Sequence, residues 1–439
     1  MTSVTALERV PLRALKPHPR NAPTHSKRQI EQIARSIKRF GFNNPVLIGD
    51  DFTIIAGHAR VEAAKVLGLA EAPVVRVSHL SDAEVRAYLL ADNKLAEHAG
   101  WDQELLPEEF QYLLNEGFEL ELTGFETGEI DLILDAAAEA DPAGRDDPAD
   151  LVPPLESWAV SRPGELWTLG RHRLLCGDAR DPGAYAQVLA GETADAIFTD
   201  PPYNVAMKGH ASTQQRREFV MASGEMGRAE FAAFLQTTLG AAAQLCKDGA
   251  IAFVCMDWRH WGELSAAAAR VFSELKNLCV WTKTNAGMGS FYRSQHELVF
   301  VYKVGQGPHC NTFELGQHGR YRTNVWAYAG ANAFGSGRDE GLALHPTVKP
   351  VALVADAIKD VTRRNQIVLD PFGGSGSTLI AAEISGRRAR LIELDPLYCD
   401  VILRRYQRQT GKPATLDLTG ETFEAVAAKR APQPEACHV

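Results

Sequence analysis

Two regimes of hydrophobic spacing divide the chain. Near its start, Ile30, Ile33, Ile37 and Phe40 recur at helical intervals. Ser26 and Gln29 have the spacing of a capping box and Gly41 follows as a stop, so a helix is predicted over 26–40. Its other face carries Lys27, Arg28, Arg35, Lys38 and Arg39. Two short apolar runs, Val46–Ile48 and Thr53–Ala56, flank Asp50-Asp51 and read as a hairpin. A second helix is predicted from Gly57 to about Leu67, closed by Gly68. From Trp101 to Ala138 the pattern is helical and acidic, and a Pro-, Asp- and Ala-rich stretch follows. Beyond it the rhythm changes. Apolar runs at 194–198, 250–255, 298–302, 367–369 and 389–392 alternate with amphipathic helices. That alternation predicts an α/β fold, a mostly parallel sheet with helices on both faces. The divisions expected are a small α/β module over 1–100, an acidic helical segment over 101–138, a linker over 139–157, the large α/β domain over 158–425 and a disordered tail over 426–439.

Composition alters this picture little. Hydrophobic residues make up 45% and charged residues 23%, an ordinary globular balance. No apolar run approaches the roughly 20 residues that span a bilayer. The opening MTSVTALERVPLRALKPHPR lacks a signal-peptide core, so a cytoplasmic protein is the expectation. Seven scattered cysteines without a C-x-x-C pair argue against a disulfide framework or structural zinc. His309-Cys310 near His318 reads as a polar loop, and no metal site is expected. A net charge of −9 argues against a protein that simply coats nucleic acid, but local basic surface is all that phosphate contacts need.

Two loops carry chemistry. Ile367 to Thr378 runs strand, glycine turn, helix: Asp370, Pro371, Phe372, Gly373, Gly374, Ser375, Gly376, Ser377. The glycines permit positive φ and close approach to a ligand. The spacing is neither G-x-G-x-x-G nor that of a P-loop, so a diphosphate is not required. About 20 residues on, at the end of the next strand, Glu393 is placed to accept from a ribose diol, with Asp395 as second choice. The second loop, Asp200-Pro201-Pro202-Tyr203, also follows a strand directly. An aromatic amino group is a poor nucleophile because its lone pair is delocalised. Asp200 can accept one N–H and the Pro201 carbonyl the other, which draws the nitrogen towards a tetrahedral state. The paired prolines hold that carbonyl rigidly, and Tyr203 offers a face for stacking. A base must leave the duplex to reach such a loop.

These motifs resemble the N6-adenine/N4-cytosine DNA methyltransferases, in the permuted subgroup where the catalytic loop precedes the cofactor loop. Leu174 to Asp178 and His345 to Pro350 match further segments of that family. The resemblance implies a Rossmann-like methyltransferase sheet and S-adenosyl-L-methionine as methyl donor. It implies that Asp178 accepts from the cofactor adenine and that Lys349 pairs with the cofactor carboxylate. Asp at 200 resembles the adenine enzymes, whereas the cytosine-N4 enzymes usually carry Ser there. The first hundred residues resemble the ParB-like domain, with Gly57-His58-Ala59-Arg60 at its G-x-x-R loop and Ala91 to Ala96 at its second polar motif. Both motifs depart from the partition proteins, which leaves nucleotide, DNA or partner-domain binding open.

The expected partner is double-stranded DNA, with a homodimer or the ParB-like domain assisting. Lys208, Arg216 and Arg217 lie in a polar stretch over 207–225 that would close on DNA or be disordered. Trp281 to Lys283, Tyr292 to Glu297 and Arg320 to Trp326 mix basic, aromatic and amide groups suited to phosphates and base edges. Target readout is expected between about 303 and 344. The expected activity is methylation of adenine N6 within a restriction-modification type of system. Cytosine N4, an RNA or protein amino group, or a ParB-like binding protein in which methylation is secondary are the alternatives.

Overall fold

The computed structural model describes residues 6–21, 24–96, 100–139, 148–205, 221–283, 291–313, 321–328 and 348–432. The chain forms two compact units, 1–141 and 142–439. Among the described residues no helix is long and apolar enough to cross a membrane.

In the first unit, β1 (Leu7–Pro11), α1 (Lys27–Phe40), β2 (Val46–Ile48), β3 (Ile54–Ala56), α2 (His58–Val66) and β4 (Glu71–Arg76) build a small sheet of order β1-β4-β2-β3 with helices packed on it. Ser26 caps α1 by accepting from the Gln29 amide at 3.1 Å. Gln29 does not return the bond as a capping box would; its Oε1 pairs with His25 Nδ1 at 3.1 Å. Asp51 makes the predicted hairpin turn by accepting from the Thr53 amide at 3.0 Å. Three helices follow: α3 (Asp82–Ala96), α4 (Leu105–Asn115) and α5 (Thr127–Glu139). Phe110, Leu120 and Ile130 form a separate small core between α4 and α5. The basic face of α1 is partly consumed by this acidic cluster. Arg28 pairs with Glu126, Arg39 lies over the Phe118 ring at 5.5 Å, and Phe40 stacks on Phe118 at 5.8 Å.

The second unit contains β5 (Leu166–Leu169), β6 (His172–Cys176), α6 (Pro182–Leu189), β7 (Ala194–Thr199), α7 (Arg228–Gln244), β8 (Cys246–Met256), α8 (Trp261–Ala268), β9 (Glu274–Thr282), β10 (His296–Lys303), β11 (Val325–Ala327), α9 (Val351–Val361), β12 (Ile367–Asp370), α10 (Ser377–Ile384), β13 (Arg388–Glu393), α11 (Pro396–Thr410), β14 (Thr415–Leu416) and α12 (Phe423–Arg430). Ten strands form one sheet in the order β11-β9-β10-β8-β7-β12-β13-β6-β5-β14. The central run from β8 to β6 is parallel, and antiparallel strands extend both ends. Strand alternation feeds two cores. Ile251, Phe253 and Cys255 face α9, α10 and α11, whereas Ala252, Val254 and Met256 face α6, α7 and α8.

Two expected boundaries fall differently. Residues 426–430 lie in α12 rather than in a tail, because Thr422 caps the helix through the Ala425 amide and Phe423 packs edge-on against Trp167 at 5.7 Å. The described end of the expected linker is anchored to the second unit. Ala149 and Val152 are buried, and Asp150 accepts from the Val351 amide at 2.8 Å.

β7 leads by α7 to β8 on one side, and β12 leads by α10 to β13 on the other. The two strands lie side by side, Val368 opposite Ala196 and Leu369 opposite Ile197. Their carboxyl ends therefore open a crevice where the connections part, the position at which open α/β sheets bind ligands. One tight passage elsewhere in the sheet offers a test of this packing. Gly249 in β8 has φ +90°, and a Cβ there would lie 2.3 Å from the Pro308 carbonyl oxygen. Gly249→Ala is expected to lower unfolding free energy by at least about 2 kcal/mol. An unchanged midpoint in urea denaturation would contradict so close an approach.

Candidate active site

The loops after β7 and β12 meet although their residues are far apart in sequence. Thr199 donates from Oγ1 to Asp370 Oδ1 at 3.0 Å across a separation of 171 residues. Asp370 also accepts from the Phe372 amide at 3.0 Å and from Thr378 Oγ1 at 2.6 Å. It is buried, and burial pushes its carboxyl up to about 7. Asp370 thus braces the two strand ends.

The glycine loop follows. Gly373 donates to the Ile392 carbonyl at 2.9 Å. Gly374, at φ +52°, donates to Glu393 Oε2 at 2.7 Å, and the Asp395 amide donates to Oε1 at 2.8 Å. Burial raises the Glu393 carboxyl to about 7 against the pull of these amides. Ser375 is fastened by Arg405, which donates to its carbonyl at 2.9 Å, and Ser377 Oγ donates to the Lys349 carbonyl at 2.8 Å. Asp395 caps α11 through the Leu397 amide at 3.0 Å. Gly376 stands behind the wall at the start of α10, where φ is +85° and a Cβ would press on Ile402. Asp178 is held below the ordinary carboxylate range by Arg180, which donates to it from its guanidinium and its amide.

A charge cluster lies beneath the Asp-Pro-Pro-Tyr loop. Lys349 Nζ donates to Asp200 Oδ2 at 2.6 Å and pairs with Glu297 Oε1 at 2.7 Å. Lys283 Nζ is 2.8 Å from Glu297 Oε2. Tyr203 OH is 2.7 Å from Asp200 Oδ1 and within bonding distance of Glu297 as well. Lys349 is 4% exposed, Glu297 11% and Asp200 24% by side chain. Burial opposes every charge here. For Glu297 the neighbouring Lys349 and Lys283 overcome it and hold the carboxyl at about 2. For Lys349, Asp200 and Glu297 overcome it and keep the ammonium charged. For Asp200, burial prevails over Lys349 and raises the carboxyl above its ordinary range.

The two loops share one cavity of about 420 Å³, lined among others by Asp178, Asp200, Pro201, Pro202, Tyr203, Lys349, Asp370, Phe372, Gly373, Gly374, Ser375, Ser377, Glu393 and Asp395. Of the expected site residues, only Gly376 is absent from this wall. Among the described lining residues the acids are Asp178, Asp200, Asp257, Asp370, Glu393 and Asp395, and the bases are Lys349 and Arg259. Acceptors thus predominate on the wall, which suits a ligand rich in hydrogen-bond donors, such as a nucleoside.

Several residues at the site were not singled out for it from the sequence. Glu297 read there as part of a DNA-contacting group. Thr199, Thr378 and Arg405 support the loops and leave no motif. Lys349 was expected to face a cofactor carboxylate, and its immediate partners are instead Asp200 and Glu297. His345, Pro346, Thr347, Lys208, Arg216, Arg217, His318 and Arg320 lie outside the described residues. In the first unit, Gly57, Arg60, Asp92 and Asn93 line a separate cavity of about 570 Å³. Ile33, Ile37 and Phe40 of α1 also face it, which accounts for their incomplete burial.

Asp370 gives this site a pH signature. Its carboxyl is raised from an ordinary 3.8 to about 7. Its contribution to stability is therefore complete below about pH 4 and is lost as pH rises through about 7. The melting temperature of the wild type should fall between pH 5 and pH 8 relative to Asp370→Asn, which preserves shape and removes the titration. Parallel curves for the two proteins would exclude a raised Asp370.

The family described as DNA methylase matches residues 194–404. The ParB N-terminal domain matches residues 1–94, and the ParB-methyltransferase HTH domain matches 104–163, across the acidic helices. The ParB-like nuclease domain-containing protein YnaK of Escherichia coli (strain K12) is 50% identical over 72 residues, 16% of this chain and 83% of that protein. The type II methyltransferase M.HinfI of Haemophilus influenzae is 23% identical over 244 residues, 53% of this chain and 68% of that protein. The PvuII DNA methyltransferase (cytosine-N4-specific) structure aligns with 60% of this chain and 92% of its own at 16% identity and a TM-score of 0.42. With the two loops joined at one crevice and these families matched in order along the sequence, the chain belongs to the N6/N4 DNA methylase family of S-adenosylmethionine-dependent DNA methyltransferases and carries ParB N-terminal and ParB-methyltransferase HTH domains.

Proposed function

We propose that the chain methylates the N6 amino group of adenine in double-stranded DNA, with Asp200, Pro201, Pro202 and Tyr203 as the reacting loop. The observation that carries this reading is Asp200. A carboxylate stands on the cavity wall at the end of β7, backed by a buried ammonium at 2.6 Å. A carboxylate is acceptor-only, which suits a group that must receive an amino N–H. The Pro201 carbonyl takes the second N–H. With both hydrogens held, the nitrogen lone pair points out of the ring plane towards the methyl donor. S-adenosylmethionine, when bound, supplies a methyl group on a positively charged sulfur. The nitrogen sheds one proton as it gains the methyl, and Asp200, raised by burial, is the acceptor at hand. Positioning and electrostatics do the rest, without a covalent enzyme intermediate.

The cofactor is assigned to the remaining wall. Glu393 would accept from its ribose hydroxyls and Asp178 from its adenine amino group. Phe372 and the backbone of Gly373, Gly374 and Ser375 would line its path. Asp370, Gly376, Ser377 and Asp395 would hold that wall in shape. Lys349 would serve Asp200 first and a cofactor carboxylate second. Cytosine N4 presents the same chemistry to the same loop. The carboxylate at position 200, where that subgroup usually has Ser, favours adenine.

The test uses whole-genome-amplified, unmodified bacterial DNA with labelled S-adenosylmethionine, followed by separation of the nucleosides. The expected product is N6-methyladenine; N4-methylcytosine would overturn the adenine reading. Asp200→Ala should retain S-adenosylmethionine binding within about threefold and lose transfer by at least about 100-fold. Equal loss of both would make Asp200 a structural residue.

A further inference from the structure

Glu297 carries chemistry that no motif assigns to it. It is the second residue of β10, opposite Trp281 of β9. β10 is antiparallel to β8, with Leu298 opposite Met256. Its first residues therefore reach the carboxyl edge of the parallel strands, two strands away from Asp200. The side chain points inward and meets three groups: Lys349, Lys283 and the Tyr203 hydroxyl. Lys283 is itself steadied over the Trp281 ring at 4.4 Å.

Two features of this arrangement bear on Asp200. The first is charge. Lys349 and Lys283 face Asp200 and Glu297, so the charges of the cluster balance. Without Glu297, Lys349 would be matched by Asp200 alone and would draw it more tightly. The second is the count of hydrogens. The Tyr203 hydroxyl lies within reach of both Asp200 Oδ1 and Glu297 Oε1, and it accepts from Lys349 Nζ at 3.3 Å. It has a single hydrogen to give. When that hydrogen goes to Asp200, it occupies the oxygen that Lys349 leaves open. When it goes to Glu297, Asp200 Oδ1 is free.

We propose that Glu297 is a positioning residue for methyl transfer: by taking the Tyr203 hydroxyl hydrogen and sharing the Lys349 charge, it frees Asp200 Oδ1 to receive the amino N–H of the target base. This rests on the reading of Asp200 given above. The Tyr203 ring serves the base by its face, while its hydroxyl acts as a stop that Glu297 holds aside.

The experiment measures single-turnover methyl transfer to unmodified, whole-genome-amplified DNA, together with S-adenosylmethionine affinity and thermal melting. Glu297→Gln keeps the shape of the side chain. It should reduce the transfer rate by about 10–100-fold while leaving cofactor affinity within about threefold. The decisive variant is the double one. With no hydroxyl to block Asp200, Glu297→Gln/Tyr203→Phe should be faster than Glu297→Gln alone by about fivefold or more. A residue that only supports the fold would not be rescued by removing a neighbour's hydroxyl. If Glu297→Gln transfers at the wild-type rate, or if the double variant is as slow as the single, the proposal is overturned. Should Glu297→Gln not fold, Glu297→Asp decides: it keeps the charge but withdraws the acceptor from the Tyr203 hydroxyl, so a loss of about 10-fold or more is expected and a wild-type rate would overturn the proposal. Asp200→Ala in the same series separates the two levels. If it is inactive while Glu297→Gln is normal, only the role of Glu297 fails; if it is active, the reading of Asp200 fails and this proposal with it.

Discussion

The pairing of β7 with β12 is the constraint on which the site depends. Each strand ends in a loop that is chemically incomplete alone. The loop after β7 presents the acceptor proposed for the amino group. The loop after β12 makes the wall proposed for the methyl donor. Because their connections leave in opposite directions, the strand ends open onto the crevice that both loops line. The Thr199–Asp370 hydrogen bond fixes the distance between the loops. The brace is buried and polar, so both partners must be present; an unpaired acid or hydroxyl in that position would be costly.

The second organising element is the neutral cluster of Asp200, Glu297, Lys349 and Lys283. Burying ions is unfavourable unless they are matched and hydrogen-bonded. Here the matching is spread over separate parts of the second unit: the end of β7, the end of β9, the start of β10 and the residue before the helix turn leading into α9. None of these segments can shift without leaving a charge uncompensated. Such a cluster contributes rigidity of geometry more than net stability, and rigidity is what amino-group activation requires. The acids on the cavity wall add acceptors for a ligand rich in hydrogen-bond donors.

Much of this was legible in the sequence, and the reasons differ by element. The buried parallel strands announce themselves as continuous apolar runs, as Ala194 to Phe198 and Ile367 to Leu369 do. The two loops are legible because their residue types at strand ends have few other uses. Two edge strands were not: β1 and β14 are short or half exposed and carry no continuous apolar run. Glu297 escaped for a different reason. One acid at the start of an apolar strand is indistinguishable from a solvated edge until a lysine from 52 residues downstream is seen beside it. Lys349 does stand on the cavity wall, but its expected partner came by analogy, and the acids beside it are Asp200 and Glu297. The acidic helices were visible as helices, while their use against the cations of α1 depended on tertiary packing.

The order of strands has a consequence for how the molecule is made. β6 and β7 are synthesised within about 20 residues of each other, but in the sheet they are separated by β12 and β13, which appear some 170 residues later. The centre of the sheet is therefore the last part of its parallel run to be supplied. A chain emerging from the ribosome would hold the acceptor loop long before it holds the strand that braces it. High sequence separation of this kind slows closure and makes it cooperative. Folding and assembly of the site become a single late event, and a partly synthesised chain would contain the reacting loop without the wall proposed to receive its methyl donor.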